Sequence, residues 1–190
     1  MGVGRTPMIG PNHFLATAAA VSAIGGYHDY RTGHIPNWVT LGPLAIAPIA
    51  HFVLGTMQGG ARVGLEAAGF SVLGALACAL VPLFLYRSNA IGGGDVKMLA
   101  ALGAICRPMV GVEAEFYAFI AAALFAPARL AWEGKLFKTL GNAFMLLANP
   151  LLPKDKRRPI GPEAMTSLRF GPAIFVGAIA AAILHWNARS

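Results

Sequence analysis

Six apolar runs, Phe14 to Tyr27, Trp38 to Met57, Val63 to Tyr86, Val96 to Ile105, Phe116 to Trp132 and Phe170 to Trp186, set what this chain can fold into. A helix crossing a bilayer needs about 20 apolar residues, with a range of about 17 to 25. The second and third runs meet that length comfortably, and the first and sixth are short but adequate. The fourth is too short to cross as a regular lipid-exposed helix and needs neighbours to shield it. The expectation is an all-α fold: a polytopic membrane helix bundle of about six transmembrane helices with a short fourth, forming a single domain over residues 1–190. Hydrophobic residues make up 56% of the chain and charged residues 12%, with a mean hydropathy of +0.61. Soluble domains carry about a quarter charged residues, and a soluble bundle would need polar helix faces that most of these segments lack. Arg5 ahead of the first run gives the outline of a secretory signal. Its positive region is weak, and cleavage near Gly26 would leave Asp29 close to a new terminus, so the run is expected to stay as the first helix.

Basic residues orient the bundle. With the N-terminus outside, eleven fall on the inner side (Arg31, Arg87, Lys97, Arg129, Lys135, Lys138, Lys154, Lys156, Arg157, Arg158 and Arg169) and four outside (Arg5, Arg62, Arg107 and Arg189). The positive-inside rule then places the loops bearing Asp29 and Asp95 in the cytoplasm. The net charge of +7 comes mainly from one inner segment and needs no nucleic-acid partner; Lys154-Asp155-Lys156-Arg157-Arg158 could bind an anionic polymer, but a cationic loop beside a membrane more often meets acidic lipid head groups. Within it, Leu136, Leu140, Phe144 and Leu147 recur at helical spacing among Lys135, Lys138 and Asn142, which predicts an interfacial helix in the fifth loop ended by Asn149-Pro150.

Two acids stand where lipid makes them costly: Asp29 at the end of the first run and Asp95 just before the fourth. Carboxylates at the edge of the hydrocarbon layer mark a pathway or a catalytic site. Pro36 blocks helix ahead of Asn37, and Asn37 is expected to cap the second helix, fixing how the chain re-enters the membrane beside Asp29. Gly92, Gly93 and Gly94 remove three side chains before Asp95, so that an extended peptide can approach its carboxyl.

Other chemistries fit less well. The segment Gly92 to Lys97 lacks the phosphate-loop spacing, and its acid would repel phosphate. His13, His28, His34, His51 and His185 do not make the HExxH of a metalloprotease, and His28 and His34 beside Asp29 read as loop histidines rather than metal ligands. Ser71 with His185 would be needed for serine chemistry, yet they are expected in the third helix and near the outer face. Cys78 and Cys106 read as small buried residues, with no zinc module or disulfide framework. Two acids alone fit aspartic proteolysis, in which a pair sharing one proton supplies both base and acid, and no cofactor is required. Which aspartate takes which role is left open, since the titration belongs to the pair.

The segment Asp29-Tyr30-Arg31-Thr32-Gly33-His34-Ile35-Pro36-Asn37, followed by Gly92-Gly93-Gly94-Asp95-Val96-Lys97-Met98-Leu99-Ala100-Ala101-Leu102-Gly103, resembles the type IV prepilin peptidases, membrane aspartic proteases with a GxGD motif. Phe170-Gly171-Pro172-Ala173 resembles a further segment of that family, less distinctively. The resemblance implies removal of the leader from prepilins or pseudopilins at the cytoplasmic face of the bacterial inner membrane, commonly after a glycine. Asp29 and Asp95 would be the catalytic pair, with Lys97 orienting Asp95, meeting the leader or snorkelling to the interface. Large members of the family carry a cysteine-bearing domain after the first helix and also methylate the new N-terminus. Here that tetracysteine is missing, and the chain resembles the short class tied to Flp or tight-adherence pili, which implies cleavage without methylation. From other classes, an ion- or proton-coupled transporter would also place acids in the membrane, although no internal repeat is visible. A non-enzymatic subunit of a pilus or secretion assembly would tolerate Asp-to-Asn changes.

Overall fold

The computed structural model describes residues 11–88, 90–132, 134, 137 and 169–186. Five helices account for nearly all of them: α1 (Pro11–Thr32), α2 (Asn37–Gly59), α3 (Ala61–Arg87), α4 (Gly93–Trp132) and α5 (Gly171–Trp186). The all-α expectation holds. Helices α2, α3 and α4 are each long and apolar enough to cross a membrane, while α5 is a shorter apolar helix. Ile46 and Ile49 on α2, and Leu65, Leu76, Leu80 and Phe84 on α3, are exposed. Such a continuous apolar exterior would be an aggregation surface in water and is the ordinary state of a helix facing lipid. The interfacial helix foreseen around Leu136 to Leu147, and the basic run Lys154 to Arg158, lie outside the described residues.

The fourth and fifth apolar runs form two helical arms, numbered together as α4, that meet at a break. At Arg107 the backbone takes φ 65 and ψ 173, a combination that a residue with a Cβ adopts only under compensation, at a cost of about 1 to 3 kcal/mol. Pro108 explains where the break falls. A residue before proline is driven out of the helical region toward extended ψ, and proline itself suits the first position of a new helix. The arm after the break therefore starts some eight residues before Phe116, where the sequence had placed it, and carries Glu113 and Glu115 into helix. The reversal is tight, because a Cβ added to Gly111 would lie 2.8 Å from the Cα of Gly103.

Small residues set the other contacts. A Cβ on Gly74 of α3 would meet the Gly103 carbonyl at 2.1 Å, and one on Gly103 would meet the Gly74 carbonyl at 2.2 Å. Helix backbones approach this closely only where both faces lack side chains. Helices α2 and α3 pack on each other, as do α1 and α5, with Gly55 against Gly64 in the first pair and Gly26 against Gly171 in the second. Leu15, Val110, Ala114, Ala181 and Ala182 form a small core joining α1, the second arm of α4 and α5.

Polar groups inside the bundle serve the break. The last carbonyls before Arg107 lack helical partners. The Ser71 hydroxyl donates to the Ala104 carbonyl at 2.6 Å, consistent with Ser71 as a packing residue. His51 contacts the Ile105 carbonyl through Nε2 at 3.0 Å and Arg107 through Nδ1 at 3.3 Å. A carbonyl only accepts and a guanidinium only donates, so the imidazole is neutral with its proton on Nε2. Cys78 is fully buried, whereas Cys106, expected to be buried, is half-buried because it sits at the exposed end of the first arm.

Candidate active site

Asp29 lies inside helix rather than in the loop the sequence suggested, three residues before the C-terminal Thr32 of α1. Gly33 follows with φ +70 and donates its N–H to the Asp29 carbonyl at 2.8 Å. This is a left-handed helix terminator, which glycine fills without a Cβ penalty. The chain then turns through Ile35 and Pro36 into α2. Asn37 does not cap that helix: it is the first helical residue, Pro36 holds the cap position, and no side chain bonds the free N–H groups there. The amide of Asn37 points elsewhere, its Oδ1 accepting from Lys97 Nζ at 3.0 Å. Of the roles open to Lys97, the structure gives it this bond across to α2.

Asp95 opens the other side. It stands in the first turn of α4, and its Oδ2 accepts the Gly92 N–H at 3.1 Å. Gly92 precedes the helix, so Asp95 satisfies one of the orphan donors of that helix end in the manner of a capping box. The three glycines differ in surroundings. A Cβ on Gly94 would press on Ile35 at 3.2 Å, one on Gly93 would touch the Tyr86 ring at 3.4 Å, and one on Gly92 would meet Asp95 Oδ2 at 3.2 Å. Gly94 thus lets the start of α4 lie against the α1–α2 turn, while Gly92 is exposed and puts no side chain over Asp95 Oδ2.

The fold brings the two acids together from opposite ends of the motif pair. Gly25, one turn before Asp29, faces Met98, one turn after Asp95; a Cβ on Gly25 would sit 2.5 Å from the Met98 sulfur. Asp29 is 7% exposed and Asp95 6%, and the charge of Asp29 acts on the Asp95 carboxyl. Two buried carboxyls within electrostatic reach cannot both carry full charge cheaply. Asp95 Oδ1 has no partner among the described residues, which leaves it able to take a proton, a water or a substrate atom. Among the described residues no group of three His, Cys, Asp or Glu is placed to hold a metal ion.

One contact at this site was not foreseen. The Gly171 N–H, at the head of α5, donates to Asp29 Oδ2 at 2.9 Å. The sequence reading singled out Phe170 to Ala173 only for resemblance and gave Gly171 no role. The available signal was a glycine beside a proline at a helix start, which says that a backbone must come close but not to what.

An all-helical scaffold with long apolar helices and two buried aspartates near helix ends defines the class: a membrane-type helical protein. A family model of the type IV leader peptidase family matches residues 16–127, and the chain belongs to that family. The match spans both aspartates and ends before α5. It makes the protein a peptidase of leader-peptidase type. No curated protein and no solved structure was found to match it.

Proposed function

We propose that this protein is a membrane aspartic endopeptidase that removes the leader from Flp-type prepilins or pseudopilins at the cytoplasmic face of the inner membrane, with Asp29 and Asp95 as its catalytic pair. The observation carrying the reading is the convergence of the two helix ends that bear these buried carboxyls, with Gly25 packed on Met98 between them, beside an Asp95 Oδ1 that has no partner among the described residues. A water between them would lose a proton to whichever carboxylate is ionised and attack the scissile carbonyl. The protonated partner gives its proton to the carbonyl oxygen, forming a gem-diol; as the C–N bond breaks, one carboxyl gives a proton to the leaving amine and the other carboxylate takes a proton from a diol hydroxyl, which becomes the new carboxyl's carbonyl. The pair ends with one proton shared, as it began. Of the three glycines before Asp95, exposed Gly92 supports access, since a leader segment can approach there without meeting a side chain of that residue.

The test is direct. Purified full-length protein in detergent, incubated with a Flp-type prepilin, is expected to release the leader as one fragment by mass spectrometry. The mature product is expected to carry an unmodified N-terminal amine even with S-adenosylmethionine present. Failure to cut would refute the assignment, and a 14 Da gain on the product would refute the absence of methylation.

A further inference from the structure

The segment Arg169-Phe170-Gly171 stands outside the residues matched by the family and beyond 130 residues of chain from Asp29, yet it grips the end of α1 at two points. Helix α1 ends with carbonyls that have no helical partner, and α5 begins with N–H groups in the same state. The structure answers both needs at once. The Asp29 carbonyl is taken by Gly33. The next one, on Tyr30, accepts from Arg169 Nη1. At the start of α5 the Phe170 carbonyl receives the N–H groups of Ala173 at 3.0 Å and Ile174 at 3.1 Å, which leaves the Gly171 N–H outside the helical ladder, and it bonds Asp29 Oδ2.

The fit around Gly171 is close. A Cβ there would lie 2.6 Å from Asp29 Cβ and 2.9 Å from Oδ2, and a Cβ on Gly26 would meet the Gly171 carbonyl at 3.0 Å. Phe170, 3% exposed, plugs into the bundle with its ring 5.4 Å from that of Phe119. Arg169 in contrast is exposed, so its contact with the Tyr30 carbonyl supplies orientation and little burial.

We propose that Arg169 and Gly171 are positioning residues of the protease: they clamp the last turn of α1 and hold the Asp29 carboxyl in the rotamer in which its Oδ2 accepts the Gly171 N–H. The inference rests on the aspartic-protease reading of the site. Gly171 acts by its backbone N–H and by having no side chain; Arg169 acts on the main chain beside Asp29. Neither needs to touch substrate.

Leader cleavage is measured with purified full-length wild type, Arg169→Ala, Arg169→Lys and Gly171→Ala on a Flp-type prepilin, together with thermal unfolding in the same detergent. Arg169→Ala should lower kcat about tenfold or more with KM within about twofold, because misplacing a reacting group by on the order of 1 Å costs up to about a hundredfold in rate. Its unfolding temperature should stay at the wild-type value, and Arg169→Lys, which keeps a cationic donor, should recover most of the kcat. Gly171→Ala should lose more kcat than Arg169→Ala. Wild-type kcat in Arg169→Ala would overturn the proposal, as would a rise in KM alone, which would put the arginine on the substrate. A fall in kcat matched by a fall in unfolding temperature would also overturn it, since the contact would then be structural. If wild type and an Asp29→Asn variant cleave equally well, the protease reading itself fails, an outcome distinct from all of these.

Discussion

Asp95 is held at a cost to stability. One of its oxygens closes the N-terminus of α4 through Gly92 and the other has no partner, while the like charge of Asp29 lies within reach. An asparagine there keeps the oxygen that accepts from Gly92 and removes the repulsion. Asp95→Asn is therefore expected to unfold at the wild-type temperature or higher, in keeping with active sites that are less stable than their inert variants. A clearly lower unfolding temperature, measured in detergent, would show that the carboxyl is structural. Both acids were legible in the sequence because each sits beside a backbone signal, the Pro36 turn and the three glycines. The bonds they make were not. Whether the Asn37 side chain caps its own helix or receives Lys97 depends on how α2 and α4 come together, and no local pattern carries that.

Among the elements, α3 and the first arm of α4 meet through backbone. Gly74 and Gly103 stand so close that either Cβ would fall about 2 Å from the opposite carbonyl oxygen, and a main chain cannot swing aside as a long side chain can. Gly103→Val should destabilise the protein by at least about 1 to 3 kcal/mol, the cost of overpacking a filled interior. Gly69→Ala, at a helical position with nothing within 4 Å, should be neutral or slightly stabilising. Equal unfolding temperatures for the two variants would contradict this account of the contact. Helix positions followed readily from apolar run length. The break did not follow in full: Pro108 marks it, but the start of the second arm was set too late because Glu113 and Glu115 interrupt the apolar run. Glu115 is nonetheless buried, and Glu113 bonds Tyr117 within the arm at 3.0 Å. Tertiary packing overrode the polar signal.

At the scale of the molecule, the helices bring two distant motifs to a common site: α1 ends at Asp29, α4 starts at Asp95, and α5 starts at Gly171 against the first of them. Such a convergence of three helix ends supplies fixed N–H donors, close backbone approach and burial together, and each of these constrains a carboxyl more firmly than a loop could. In the proposed function that end faces the cytoplasm, as the distribution of basic residues in the sequence leads one to expect. The account stands on that pair acting as a unit. Its most direct test is leader processing of a co-expressed Flp-type prepilin, read by gel shift, in cells carrying wild type, Asp29→Asn or Asp95→Asn at matched membrane levels. Each substitution alone is predicted to abolish processing, a loss of at least about a thousandfold for groups that work as one acid–base unit. Wild-type processing by either variant would contradict the dyad.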